Sequence, residues 1–182
     1  MERDIETLEC GPAREPDRRM VAVILKRDQL LYDIENNCYV EGHIIEEGGH
    51  DGIPHVVQDV GQEGNVDRVT RVLDIAHADI VERLYPFTQH GIRHPVVDDR
   101  LREKPAYGIF LSVPGTFSQT TLNLLGKLIH ELLVCIATAD WLSITHTPKE
   151  EVWRRKAEAV INRINEIKNF RHRRIRIKPH WL

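Results

Sequence analysis

Ten histidines give this chain ample raw material for acid–base or metal chemistry, and their surroundings decide whether it is used. His43, His50 and His55 lie close together, with Glu46, Glu47 and Asp51 among them. Such residues bind zinc or iron when they are deprotonated and held at fixed geometry. Their spacing fits no ligand pattern and the segment is rich in glycine, so no metal and no cofactor is expected. His130-Glu131 opens like a helical zinc-protease motif, but Val134 stands where the second histidine is required. His130 is therefore expected to be a packed or hydrogen-bonded helix residue. Asp74 and His77, three apart, share a helical face and have the makings of a proton-transfer pair. Asp79 points elsewhere and Ala78 occupies the position one turn after Asp74, so a solvated polar face is expected instead. Asp140, beside Trp141 in an apolar helix, needs a partner if buried. Arg154 or Arg155 of the facing helix would supply it, as a structural ion pair fixing register. Gly48-Gly49 and Gly61–Gly64 lack the Lys-Ser/Thr of a phosphate loop, and nucleophile patterns are missing. The residues point away from an enzyme.

The elements that would position these groups are mostly helical. Residues 118–170 read as two long helices joined at Ile144-Thr145-His146. Leu122, Leu125, Ile129, Leu132, Leu133, Ile136 and Ala139 recur at steps of three and four, with Leu124, Val134 and Cys135 off the stripe. Thr147, Pro148 and Glu150 carry a helix-start signature, and Trp153, Ala157, Ile161, Ile164 and Ile167 mark the buried face of the second arm. Upstream, Val21–Leu25 reads as a strand, and Asp28 caps a helix through Leu30, Ile34, Cys38 and Ile45. Residues 46–64, with five glycines, form a long loop with a strand at His55–Val60. Asn65 caps a helix through Val69, Leu73, Ala76 and Ile80 that Pro86 stops; an irregular stretch and a strand at Tyr107–Val113 follow. The expected fold is mostly α: a four-helix body with a long C-terminal helical hairpin and a small β element.

Charge divides the chain further. Overall it carries −3, but residues 168–182 hold six bases and no acid. Residues 1–19 hold six acids against four bases, which leaves the rest with 15 bases and 22 acids. We read a mobile arm (1–19), a helical body (20–170) and a basic tail (171–182). In the tail, Arg173, Arg174, Ile175, Arg176, Ile177 and Lys178 alternate charge and apolar bulk before Trp181. That is the pattern of an extended segment able to join a sheet edge, its own or a neighbour's, and these are the expected partner-binding residues. Asp140, Trp141, Trp153 and Thr147 are the expected structural residues. Cys10, Cys38 and Cys135 are odd in number and unpaired in spacing, so reduced thiols are expected. The polar N-terminus is no signal peptide, no apolar run is read as membrane-spanning, and no membrane contact is expected.

Leu31-Tyr32-Asp33-Ile34, the run Gly64–Leu73, Leu128–Cys135 and Ala139–Thr145 together span most of residues 30–145. Through these words the chain resembles a family of uncharacterised phage and prophage proteins of gut anaerobic bacteria. The order of elements, with a helix ending at Tyr85-Pro86-Phe87-Thr88 and a long helix opened by Pro114–Ser118, is also similar to the helical head–tail connector (adaptor) proteins of tailed phages. That resemblance implies a ring subunit of the virion, assembled in the host cytoplasm between portal and tail, with no catalytic residues. Its partners would be copies of itself, portal and tail or neck proteins, and the DNA that passes. The arm before Met20 and the longer last helix depart from that pattern, leaving a tail-completion or neck role open. The remaining alternatives are a non-enzymatic helical adaptor, or a nucleic-acid-binding protein of a mobile element using residues 171–178.

Overall fold

Alternation of burial along Arg18–Lys26 marks a strand, β1, with Val23 and Leu25 turned inward. It pairs antiparallel with β2 (Ala106–Pro114), which buries Tyr107, Ile109, Leu111 and Val113 on the same face. These elements belong to a computed structural model that describes residues 17–47, 54–89, 100, 103–115 and 117–169. Helix α1 (Arg27–Glu47) follows β1 directly and buries Leu30, Ile34, Cys38 and Ile45, a helical stripe. A short α2 (Pro54–Gln58) and a 3-10 turn (Asp59–Gly61) lead to α3 (Glu63–Arg83), which buries Val69, Leu73, Ala76 and Ile80. Then come β2, α4 (Gln119–Thr145) and α5 (Thr147–Asn169).

The fold is mostly α, with four long helices, a C-terminal helical pair and a two-stranded antiparallel sheet that does not close. The expected hairpin is present. Ser118 Oγ accepts from the Thr121 backbone N–H at 3.1 Å to cap α4, and only His146 separates α4 from α5. Thr147 is the first residue of α5.

Two expectations need correction. No strand forms at His55–Val60; α2 and the 3-10 turn occupy it, because Val57 and Val60, three apart, turn together into the core. Nor does the reading that no apolar run reaches membrane-spanning length survive. α4 has 27 residues and an 18-residue window of mean hydropathy 1.5, enough to cross a bilayer by length and composition. Half of that window is buried inside the protein, where α4 packs against α1, α3 and α5 as the central helix. β1 also begins earlier than expected and takes Arg18 and Arg19 from the N-terminal arm. Residues 1–16 of that arm, like the basic tail, lie outside the described residues.

Candidate functional site

The polar residues most suited to chemistry meet where α3 packs on β2. Asp74 and His77 stand on one face of α3, as their spacing requires, yet they bond to different partners. Asp74 Oδ1 accepts from Lys104 Nζ at 2.8 Å, and His77 Nε2 donates to the Gly108 carbonyl at 3.2 Å. The His77 ring lies 5.3 Å from that of Tyr107, and Lys104 Nζ stands 5.7 Å from the Tyr107 ring centre. Burial, followed by the nearby Asp74 carboxylate, raises the Tyr107 pKa. Burial lowers that of His77, against the Gly108 bond, which raises it; Lys104 adds to the lowering and Asp74 opposes it. Beside them, Arg27 Nη2 donates to Thr70 Oγ1 at 3.0 Å and reaches Glu103 at 3.8 Å. These bonds tie α3 to β2 and to the start of α1, and among the described residues none joins His77 to a carboxylate.

This arrangement predicts a pH signature. His77 titrates lower folded than unfolded, so near and below its ordinary value of 6.5 the unfolded chain binds the proton more readily. Its contribution is fully present above 6.5, is lost as pH falls toward the folded pKa, and changes no further below it. Urea unfolding of wild type and His77→Asn at stepped pH should show a shallower acid slope for the variant. Parallel slopes would remove His77 as the cause.

The histidine pattern on α4 has a structural outlet as well. His130 Nε2 donates to Asp33 Oδ2 of α1 at 2.7 Å, while Glu131 accepts from Lys156 of α5 at 2.7 Å. Among the described residues no three His, Cys, Asp or Glu side chains gather to hold a metal ion. His43 stacks edge-on with Tyr39 at 4.5 Å, His55 is exposed, and His50 and Asp51 lie outside the described residues. Cys38 and Cys135 are free and buried. Burial pushes the Cys38 thiol up to about 12, with Glu41 and Glu35 adding to it. Burial likewise takes Cys135 to about 11, with Lys156 opposing and Glu131 adding. Thiols so shifted stay protonated near neutral pH and are poor nucleophiles.

The four expected structural residues divide between helices. Trp141 Nε1 donates to the Val57 carbonyl at 2.8 Å, which ties α4 to α2. Trp153 Nε1 donates to Glu41 Oε1 at 3.0 Å, and Lys149 reaches the other Glu41 oxygen at 2.9 Å, so α5 is latched onto α1. Asp140 corrects the expectation. Its partner is Arg68 of α3, through Nε and Nη2 at 3.0 Å each. Arg154 and Arg155 instead bond Glu150 and Glu151, one turn back on their own helix. The pair therefore fixes α3 to α4, not the hairpin register. Both partners are partly exposed, so Arg68→Ala should cost at most about 1 kcal/mol. A double-mutant cycle by chemical denaturation should give a coupling for Arg68 with Asp140 and none for Arg154 with Asp140.

The sheet carries the most accessible surface feature. Ser112 N donates to Phe87 O, and Gly108 O accepts from His77, so even-numbered residues of β2 bond away from β1. By the antiparallel register, the backbone groups of Met20, Ala22 and Ile24 also point away from the partner strand. β2 is thus covered on its far edge, whereas among the described residues nothing pairs with β1 on its own. That edge opens into a groove of about 640 Å³, whose other wall is α4 at Gln119, Leu122, Asn123, Gly126 and Lys127. On the outer face of the sheet Met20 is 63% exposed and Ile24 57%, while Phe110 is also exposed. This surface was missed in the sequence, although a signal exists: Met20–Leu25 is apolar at both parities, as in strands covered on both faces. The expected partner-binding residues, Arg173–Lys178 and Trp181, lie outside the described residues. No protein-family model, curated protein or solved structure matches the chain.

Proposed function

We propose that this chain is a non-enzymatic structural subunit of a tailed-phage virion, a head–tail connector that forms a ring between portal and tail. The observation that carries the assembly part is β1: apolar on both faces, covered on one, and open along an edge among the described residues. A neighbouring subunit would cover both the edge and the outer face, in the way strand edges are otherwise blunted by charge, proline or a covering element. The biological class rests on the resemblance to phage and prophage proteins read in the sequence of residues 30–145. Interlocked helices suit such a subunit, because ring contacts need a body that does not deform.

Co-expression with the portal protein of the same element, followed by sedimentation and negative-stain electron microscopy, tests the reading. The expected result is a closed ring of this chain bound to the portal. A chain that stays monomeric at high concentration and ignores the portal would overturn it.

A further inference from the structure

We infer that the open edge of β1 is the acceptor for the basic tail of a second copy, residues Arg173–Lys178 entering as a third strand. This deepens the connector reading and rests on it. The acceptor is defined by backbone chemistry. Met20, Ala22 and Ile24 each direct an N–H and a C=O away from β2, and Ala22 and Ile24 line the groove between β1 and α4. An added strand would lie about 4.8 Å from β1 and satisfy them in register.

The donor has the matching pattern. In Arg174-Ile175-Arg176-Ile177-Lys178 the isoleucines share one face and the cations the other. With Ile175 and Ile177 turned inward they meet Leu122 of α4 and the groove floor where Gly126 packs on Val23. The cations then fall on the outer face beside Met20 and Ile24, where their alkyl stems cover apolar surface and their charged heads stay in water.

A second copy is favoured over the chain's own tail by where α5 ends. Lys168 Nζ donates to the Arg83 carbonyl, and Ile167 and Lys168 line a small apolar cavity with Leu84, Phe87 and Leu125. At 3.6 residues per turn, Leu125 is turned about 60° around α4 from Leu122 and about 100–160° from Gln119, Asn123, Gly126 and Lys127. α5 therefore ends on the side of α4 turned from most of the acceptor groove. A donor at one place and an acceptor at another make a head-to-tail contact, the kind that closes into rings.

Cross-linking in the full chain tests this, in a Cys10→Ser background, since Cys38 and Cys135 are buried. One chain carries Ala22→Cys; the other carries a single cysteine at 174, 175, 176, 177 or 178. Mild oxidation of the mixture should give a disulfide product of twice the chain mass for 174, 176 or 178, and little for 175 or 177. A single chain carrying both Ala22→Cys and Arg176→Cys that bonds only within itself would overturn the inference in favour of its own tail. No product at any tail position would overturn it in favour of residues 1–16 or another partner.

Ala22→Pro gives an independent readout, because the N–H it removes points away from β2 and the ladder is spared. Self-association should weaken about tenfold or more, the scale of a lost backbone hydrogen bond, with the melting temperature nearly unchanged. Undiminished assembly of folded Ala22→Pro also sinks the inference. Rings on the portal without cross-links leave the connector reading standing and this inference fallen; no assembly of any kind removes both.

Discussion

Trp141→Ala should destabilise the protein by about 3–5 kcal/mol, a large share of the total stability of an ordinary domain. The indole is 4% exposed, and it joins the central helix α4 to α2 through its bond to the Val57 carbonyl. Truncation leaves a cavity that neighbours on several elements cannot fill together, and it strands the Val57 carbonyl without its donor. Trp141→Phe separates the two effects. It keeps much of the ring and loses the bond, so a cost of about 1–3 kcal/mol is expected, plus a packing loss. Ile75→Ala serves as control: 71% exposed, it should fall within about 0.5 kcal/mol of wild type. Denaturant midpoints with unchanged slopes measure all three. A wild-type midpoint for Trp141→Ala would mean that α2 is not held against α4 as described.

Deleting residues 171–182 should have the opposite profile, with stability kept and assembly lost. Every buried core residue described lies between Val23 and Ile164, so the truncation removes none of them. It removes five of the bases and, with them, the only Arg-Ile alternation in the chain. We expect a folded monomer that no longer joins portal or tail partners. If the tail serves passing DNA instead, the truncated protein should assemble normally and lose only salt-sensitive DNA retention. Normal, DNA-filled, tailed particles built with the truncated chain would count against docking.

Local order was legible in the sequence, and pairing at a distance was not. The α4–α5 hairpin could be read because helical periodicity and the Ser118 cap depend on residues a few positions apart. The strand expected at His55–Val60 contains valines of high β-propensity, which tertiary packing overrides when Val57 and Val60 are drawn into one core. Asp140, only partly buried, does take a cation, but its partner is 72 residues upstream and nothing local marks Arg68. The same limit hid the edge of β1 that is left unpaired among the described residues. β1 was visible as a run of apolar residues, but which edge stays open depends on its register with β2.

That separation between β1 and β2 has a consequence for synthesis. β1 ends at Lys26 and its partner is complete only at Pro114, 88 residues later. At about 5–20 residues per second, β1 waits roughly 4–18 s on the ribosome with both edges unpaired. Closing so long a loop also makes the ladder a late event, after the local α4–α5 contacts become possible. A nascent strand that is apolar on both faces is a substrate for chaperones and for misassociation between chains on one polysome. Translation speed between residues 27 and 114 would then govern how much of this protein is recovered folded.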